Sequence, residues 1–305
     1  MLDKGLSFSG LLFISTVFIS SPGYAQDREI AITIDDLPLV ASQMNTPGNI
    51  QRSNERFTRI VEAFTKYKVP ATGFVIAGAI GKGQWAFLEQ FRNAGLMLGS
   101  HTYSHGNLNQ MSAERYIADV DRADKVLTPI MTEPKYFRYP YLAEGNKNTK
   151  QKVVDYLTEH HYVIAPVTID TKDFAFNEST YKVPFRSREA FIAKLKPRYL
   201  AFIWKQTLAA EKRSNGKPSK QILLIHANVL NSYLLGDILE MYQKNGYKFI
   251  SLTEALKNPA PALSIPGANS SEEDKEKGQD YIPLMDFYNI FPELNKQGNS
   301  PEVIS

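Results

Sequence analysis

The sequence alternates short β-branched runs with longer amphipathic segments between residues 29 and 256, and this alternation constrains the fold more than any other feature. Residues 29–34 and 221–225 are typical of buried strands, whereas residues 53–67 carry apolar side chains at helical spacing. Such a pattern produces βα units around a mainly parallel sheet. It predicts an α/β fold with about seven strands, each followed by a helix, in a single barrel-like domain. The predicted strands are residues 29–34, 72–76, 96–100, 136–138, 162–168, 221–225 and 248–250. The predicted helices are residues 53–67, 85–93, 113–127, 150–160, 188–210 and 234–244, with a short last helix opened by Ser251.

Composition excludes several kinds of partner and chemistry. The 305 residues include 35 basic and 32 acidic side chains, for a formal net charge of +3. Because so small a net charge creates no strong field, we expect neither nucleic acid nor an anionic membrane as a partner. The chain has no Cys, which excludes disulfides, thiolate nucleophiles and Cys-ligated zinc. Any metal must therefore be bound by His and carboxylate side chains.

Residues 1–25 are predicted to be a signal peptide. An apolar stretch at residues 6–20 precedes residues 23–25, which supply small side chains at the positions that a signal peptidase reads. We therefore expect cleavage after Ala25 and an exported mature protein, periplasmic or secreted. A buried helix or an uncleaved anchor is the alternative interpretation, because Asp3 weakens the positive N-terminal region and the apolar run is short for a membrane span.

The mature chain divides into a domain and a tail. Residues 26–257 contain the whole βα pattern, and no segment among them is long and apolar enough to span a bilayer. From residue 258 the composition changes to Pro and then to acidic side chains, which predicts a linker and C-terminal tail over residues 258–305. Within the tail, residues 281–294 are apolar again and are a candidate for docking on the domain or on a partner. No feature of the sequence specifies an oligomeric state.

Side chains with catalytic or metal-binding chemistry fall at the C-terminal ends of successive predicted strands. In an α/β barrel these ends meet on one face and build the active site, so we expect the side chains to converge on one cleft. They are Asp35, Asp36, His101, His105, Arg138, Asp170, Asp173 and His226.

The two histidines at the third strand are the strongest single indication of a metal site. His101 and His105 are four positions apart, and in a helical turn that spacing places both imidazoles on one face, close enough to share a zinc ion. Each remaining group also has a simpler interpretation: Asp35 and Asp36 as a turn or helix cap, and His226 as a hydrogen-bonded core histidine. Their common position at strand ends favours a site over these alternatives.

Five segments, in chain order, resemble the five motifs of the polysaccharide deacetylase family, the NodB-homology group also known as carbohydrate esterase family 4. The resemblance extends over about residues 29–256 and implies a distorted (β/α) barrel with about seven strands. The segments are Thr33-Ile34-Asp35-Asp36, His101-Thr102-Tyr103-Ser104-His105, Arg138-Tyr139-Pro140-Tyr141, Asp170-Thr171-Lys172-Asp173-Phe174 and Leu224-Ile225-His226.

The resemblance implies a metal site and a base. Asp36, His101 and His105 would bind a divalent metal, zinc by default, with cobalt, nickel or manganese as alternatives. Asp35 would be the general base that takes a proton from the attacking water, and Arg138 would keep the Asp35 carboxylate ionised and oriented.

The resemblance also implies an acid and a substrate pocket. His226 would protonate the leaving amine, and Asp173 would keep His226 cationic. The backbone N–H of Tyr141 would donate to the oxyanion, and Leu224 would contact the acetyl methyl group. Phe174 stands where the family usually has Trp, so we expect it at the rim of the pocket.

Two further positions depart from the family pattern. Leu37-Pro38 replaces the Gly that usually follows the Asp pair, and Leu142 replaces the Gly that usually continues the third motif. These positions shape the rim of the site more than they supply chemistry, so they affect the choice of substrate first.

The implied function is removal of N-acetyl groups from polysaccharide that contains N-acetylglucosamine, either peptidoglycan or a chitin-like glycan, by a secreted metal-dependent hydrolase. One alternative is a catalytically silent glycan-binding protein. Another is a deacylase of an O-acetyl or small-molecule substrate. Two His and one carboxylate also suit non-haem iron oxygenases, although an all-β scaffold would be the more natural host for those.

Overall fold

The computed structural model describes residues 28–42, 44–217 and 219–263, which are built around a sheet of eight parallel strands. The strands follow the order β5-β4-β3-β2-β1-β7-β6, and β8 pairs with the beginning of β1. Among the described residues no ladder joins β5 to β6, so the curled sheet is an open half-barrel. The prediction of a distorted α/β barrel is confirmed. The strands are β1 (Arg28–Leu37), β2 (Thr72–Val75), β3 (Met97–Ser100), β4 (Lys135–Phe137), β5 (Tyr162–Ile164), β6 (Ile169–Asp170), β7 (Gln221–His226) and β8 (Tyr247–Phe249).

Helices cover the outside of the sheet, and two short 3₁₀ turns, Ala77–Ala79 and Pro140–Leu142, lie at strand ends. No helix in the described ranges is long and apolar enough to cross a membrane. The helices are α1 (Pro47–Lys66), α2 (Trp85–Asn93), α3 (Ala113–Leu127), α4 (Lys147–Glu159), α5 (Asp173–Tyr181), α6 (Phe185–Arg213), α7 (Val229–Lys244) and α8 (Leu252–Ala255).

Helix α1 shows how local sequence sets an element. The Thr46 side chain accepts the Asn49 backbone N–H at 3.2 Å, and Pro47 occupies the first turn, where its missing N–H costs nothing. The apolar side chains Phe57 and Phe64 are fully buried on one face of the helix. Each buried side chain of this size contributes roughly 2 kcal/mol of hydrophobic free energy. The predicted helix over residues 53–67 is therefore confirmed, with an earlier start.

Of the segment predicted as one strand over residues 162–168, only Tyr162–Ile164 (β5) is a strand, and the next strand, β6, begins at Ile169 on the opposite edge of the sheet. Strand β5 pairs with β4, and β6 pairs with β7. Between them, the Ala165 N–H donates to the Phe137 carbonyl on one edge, and the Thr168 N–H donates to the Ile222 carbonyl on the other. The prediction of a single strand is wrong because the chain crosses the opening of the half-barrel here, where the sheet offers no continuous partner.

The first residues of the tail lie against the domain. The Lys220 N–H donates to the Asn258 carbonyl, and the Ala260 N–H donates back to the Lys220 carbonyl. The Leu263 N–H then donates to the Val167 carbonyl at 2.7 Å. The predicted signal peptide over residues 1–25 and the tail from residue 264 lie outside the described residues.

Candidate active site

A cavity of about 590 Å³ opens at the C-terminal ends of the central strands. Arg138 and Asp173 lie directly behind its wall, each hydrogen-bonded to a side chain that lines it. All the site residues predicted from the sequence are thus gathered in one place. Those lining the cavity are Asp35, Asp36, His101, His105, Tyr141, Phe174, Leu224 and His226.

Asp36, His101 and His105 form a compact set of metal-ligand atoms. The Asp36 Oδ1 atom lies 3.3 Å from His105 Nε2 and 3.6 Å from His101 Nε2. The His101 Nδ1 atom is 2.9 Å from the Arg138 carbonyl oxygen, to which it donates. This bond fixes the tautomer, so that the lone pair of His101 Nε2 faces Asp36.

The protonation of these groups fits a divalent cation. Burial and then the charge of His105 lower the pKa of His101 well below its usual range, and burial lowers the pKa of His105. Both imidazoles are therefore neutral at neutral pH, as a metal ligand must be. In the described part of the chain, no donor reaches the buried Asp36 Oδ1 atom. Two neutral imidazoles and a carboxylate oxygen without a donor are a set that zinc and related cations prefer.

A loop, not a helix, brings the two histidines together. His101 and His105 have imidazole centroids 4.9 Å apart, but residues 101–106 are not helical, and Thr102 and His105 have φ angles of 64° and 58°. The predicted helical turn is therefore wrong, although the imidazoles are adjacent. Asp36 and Tyr141 also adopt positive φ, at 62° and 58°. Strained backbone of this kind concentrates where the surrounding fold over-determines a functional geometry.

Contacts from two other elements hold this loop, and sequence reasoning missed them. The Asp119 carboxylate on α3 accepts the backbone N–H groups of Tyr103 and Ser104 at 3.1 and 3.0 Å. On the other side, the Gly78 N–H donates to the Tyr103 carbonyl, and a Cβ atom at Gly78 would lie only 2.6 Å from that oxygen. No local sequence signal marks Asp119, because its partners are distant in the chain.

Asp35 and Arg138 form a buried pair in the floor of the cavity. The Arg138 Nη1 atom lies 3.4 Å from Asp35 Oδ2, while Nε donates to the Ala165 carbonyl at 2.7 Å and Nη2 donates to Thr33 Oγ1 at 3.2 Å. Burial raises the pKa of Asp35 and Arg138 opposes this effect, with a net value of about 6. Arg138 thus orients the carboxylate, but burial outweighs its charge, and Asp35 is a stronger base than an exposed carboxylate.

His226 and Asp173 form a second buried pair. The His226 Nδ1 atom is 2.6 Å from Asp173 Oδ1. Burial lowers the pKa of His226, but the charge and hydrogen bond of Asp173 more than offset this and raise it to about 10. Asp173 Oδ2 also accepts the His226 backbone N–H at 2.7 Å and the side-chain amides of Asn228 and Asn231. The carboxylate is thereby fixed in place, and the imidazole is cationic at neutral pH.

The cavity wall contains one ion pair that the sequence did not predict. The Lys172 Nζ atom lies 2.7 Å from Asp170 Oδ2, and both side chains are buried. Asp170 belongs to the fourth motif segment without an assigned role, and Lys172 has a positive φ of 49° that no sequence signal indicated.

Apolar and aromatic side chains shape the remaining wall and rim. Leu224 packs with Leu142 and Val167 in a small apolar cluster. The Tyr141 ring lies 4.5 Å from the His105 ring, and the Phe174 ring lies edge-on to His226. Tyr141 and Phe174 are 54% and 39% exposed, so the rim offers two aromatic faces to a ligand.

Residues 23–161 match the sequence model of the polysaccharide deacetylase family. The matched region, a little under half of the 305 residues, is similar to this family. The match contains the first three motif segments. The fourth and fifth lie beyond it, and the structure places their residues in the same cavity.

Similar proteins include deacetylases named for two glycans. The chain is 30% identical over 119 residues to a chitin deacetylase of Arthroderma benhamiae, covering 38% of this chain and 31% of that protein. It is 25% identical over 174 residues to a peptidoglycan-N-acetylglucosamine deacetylase of Bacillus cereus, covering 56% of this chain and 55% of that protein. The chain therefore spans about a third to about half of the length of these relatives.

Solved structures share the fold. A CE4 family pseudoenzyme from Bacillus anthracis superposes with a TM-score of 0.52 at 18% sequence identity, covering 75% of this chain and 66% of that one. At this identity the likeness concerns the fold alone. A parallel α/β scaffold is also unlike the all-β host that the oxygenase alternative calls for.

Proposed function

We propose that this protein is a metal-dependent hydrolase that removes N-acetyl groups from polysaccharide containing N-acetylglucosamine. One observation carries the proposal: a single cavity holds the Asp36, His101 and His105 ligand atoms, the Asp35 carboxylate and the His226 imidazole. Amide hydrolysis needs an electrophilic carbonyl, a base for water and an acid for the leaving amine.

A divalent metal bound by Asp36, His101 and His105 would polarise the acetyl carbonyl and lower the pKa of water. Asp35, with a pKa of about 6, is ionised at neutral pH and takes the proton of the attacking water. Arg138 holds the Asp35 carboxylate in one orientation through its own bonds to Thr33 and Ala165.

The leaving amine is protonated from the other buried pair. An amide nitrogen leaves poorly as an anion, so it must receive a proton as its bond to the acetyl carbon breaks. His226 has a pKa of about 10 and carries that proton at neutral pH. The products are acetate and a free amine on the sugar, and the proton taken by Asp35 replaces the one given by His226.

The substrate follows from the wall of the cavity and from the relatives. Leu224 and Leu142, backed by the buried Val167, offer an apolar surface that suits an acetyl methyl group. The exposed rings of Tyr141 and Phe174 suit the flat apolar face of a sugar. The relatives named above act on chitin and peptidoglycan, whose shared unit is β-linked N-acetylglucosamine.

The test measures acetate released from N-acetylglucosamine oligomers and from peptidoglycan, with and without added zinc. We expect zinc-dependent release by the wild type. Asp35→Asn should retain zinc and release acetate about 10²–10⁴ times more slowly than the wild type. His101→Ala should lose zinc and activity together. Asp121→Asn, an exposed carboxylate paired with Lys125 on α3, is the matched control. Absence of release from every glycan by zinc-loaded protein would refute the proposal.

A catalytically silent glycan-binding protein is the second candidate. The altered rim positions Leu142 and Phe174 favour it, and a pseudoenzyme with this fold exists in Bacillus anthracis. A binder, however, needs neither the Asp35–Arg138 pair nor the His226–Asp173 pair, and both are intact. Glycan affinity without acetate release would support this candidate.

We also propose that the protein is exported and cleaved after Ala25. The support is the sequence pattern of residues 1–25. The mass of the protein recovered from the periplasmic or extracellular fraction tests this, and a mature chain beginning at Gln26 is expected. An intact N-terminus in that fraction would contradict the proposal.

A further inference from the structure

A second cavity, of about 180 Å³, lies between helix α1 and the α5–α6 connection. Its lining includes four arginines, Arg52, Arg56, Arg59 and Arg188, and a single carboxylate, Glu55. We call this cavity the arginine pocket. Four guanidinium groups around one carboxylate give it a strong positive potential in a protein of nearly balanced charge.

The guanidinium groups have no carboxylate partners in the part of the chain that the structure describes. Arg56 donates to the Val40 carbonyl at 3.3 Å, Arg188 donates to the Thr180 carbonyl at 3.0 Å, and Arg52 donates to the Asn49 side chain. Among the described residues, no acceptor lies within hydrogen-bond distance of the buried Arg56 Nε atom. Partly desolvated positive charge without a counter-charge is unfavourable, so a bound anion would stabilise this arrangement.

Aromatic rings lie against three of the guanidinium groups. Arg52 and Arg188 lie 5.1 and 5.8 Å from the centroid of the Phe185 ring, and Arg59 lies 4.5 Å from that of Tyr233. A guanidinium over an aromatic ring can still present N–H groups for two parallel hydrogen bonds to a carboxylate, and the ring contact limits the further loss of conformational entropy. The pocket therefore has the chemistry of a carboxylate site.

The arginine pocket adjoins the active-site cavity. Tyr181 lines both cavities. Val40, whose carbonyl accepts from Arg56, also lines the active-site cavity. A glycan with one acetamido group beside His101 and His105 can therefore extend past Tyr181 to the arginines.

We propose that the arginine pocket is a subsite for a carboxylate on the glycan, so that the preferred substrate is an acidic glycan and not a neutral homopolymer. This inference rests on the proposed function. In peptidoglycan the sugar next to N-acetylglucosamine bears a lactyl ether that ends in a carboxyl group, either free or amide-linked to a peptide with carboxylates of its own. A chitin-like chain has no such group.

Three tetrasaccharides of equal length test the proposal: an N-acetylglucosamine tetramer, an alternating tetramer with free lactyl carboxylates, and the same tetramer with peptide attached. Calorimetry gives the affinity for each, and acetate release gives kcat/KM. We expect the wild type to prefer one of the acidic glycans over the neutral one by about tenfold or more at low salt, with the preference shrinking as salt is added. The acidic glycan that shows the preference identifies the source of the carboxylate.

The variant Arg56→Gln/Arg188→Gln should lose most of this preference, measured as the ratio of acidic to neutral affinity. Arg115→Gln, an exposed arginine on α3, is the matched control and should keep the wild-type ratio. If thermal unfolding shows that the double variant is not folded, Arg52→Gln alone replaces it.

Equal wild-type affinity for all three glycans would overturn the proposal. A pocket variant that weakens every glycan equally, and so leaves the ratio unchanged, would overturn it as well. Absence of acetate release from all three glycans would instead refute the proposed deacetylase function, and the affinity ratio would still decide the role of the arginine pocket.

Discussion

Replacement of Asp173 by Asn should convert His226 from an imidazolium to a neutral imidazole at neutral pH. Burial alone lowers the pKa of His226, and the Asp173 carboxylate at 2.6 Å raises it to about 10. Without Asp173, only the smaller effects of Asp36 and Asp35 oppose burial, which is the largest influence, and we expect the pKa to fall to the ordinary histidine value of about 6.5 or below. At pH 8 the protonated fraction then drops from nearly all to about 3% or less, a loss of roughly 30-fold in available acid. The Asn side chain keeps an oxygen for the donors of Asn228 and Asn231.

NMR titration of the histidine ring protons measures this directly, because the chain has only five His. The wild-type His226 signal should titrate near pH 10 and the signal of Asp173→Asn at about pH 6.5 or below. The alkaline limb of the rate profile should move to lower pH in the same variant. The control is Asp237→Asn on α7, which removes the ion pair of Asp237 with Lys196 on α6. It should leave the His226 signal unchanged.

Stability should change with pH in the direction that this linkage requires. A group whose pKa is higher in the folded than in the unfolded protein stabilises fully below the unfolded pKa, and the stabilisation is lost as the pH rises through the folded pKa. The contribution of His226 to the free energy of unfolding of the wild type should therefore decline between about pH 6.5 and 10. Urea unfolding of Asp173→Asn should not show that decline. A His226 signal that still titrates near pH 10 in the variant would refute the reasoning.

Three further outcomes are expected. Gly73→Ala places a Cβ atom 2.2 Å from Leu37 Cδ1 and should lower the free energy of unfolding by about 1–3 kcal/mol; an unchanged urea midpoint would show that Leu37 repacks freely. Leu224→Ala should raise kcat/KM for N-propionyl relative to N-acetyl substrate by about tenfold, and a constant ratio would place the acyl group elsewhere. Zinc at 100 times its Kd should stabilise the wild type by about 2.7 kcal/mol in thermal unfolding. The same zinc concentration should give His105→Ala little stabilisation, so equal stabilisation of both proteins would exclude His105 as a ligand.

The sequence predicted elements best where the signal was local and periodic. Helices α2 and α3 have the predicted bounds, and Ser251 caps the last helix through the Glu254 N–H as expected. Helix α5 was not predicted, because its segment lacks a continuous apolar stripe and begins after a residue with positive φ. The helical turn expected at residues 101–105 was wrong, because Asp119 and the turn at Gly78 fix that loop from a distance.

The residues that make up the candidate site could be predicted from the sequence for a related reason. Parallel strands end at a common edge, so residues such as Asp35, His101 and His226 can be assigned to one cleft from their positions alone. Their protonation was not predictable in the same way. Arg138 was expected to keep Asp35 ionised, and Asp35 is ionised at neutral pH, but the sequence does not show that burial outweighs the charge of Arg138 and raises the pKa of Asp35 to about 6.

The amino-acid sequence by itself determined the α/β alternation, the resemblance to the polysaccharide deacetylase family, and the chemical groups at the strand ends. These follow from short-range periodicity and from residue type, which the folded chain does not alter. Only the tertiary structure decided the tautomer of His101, the cationic state of His226 and the existence of the arginine pocket, which α1 and the α5–α6 connection build together. Each of these depends on burial and on contacts between residues far apart in the chain. The free energy of a charged group depends on its surroundings more strongly than that of any other group, so sequence position alone does not set it.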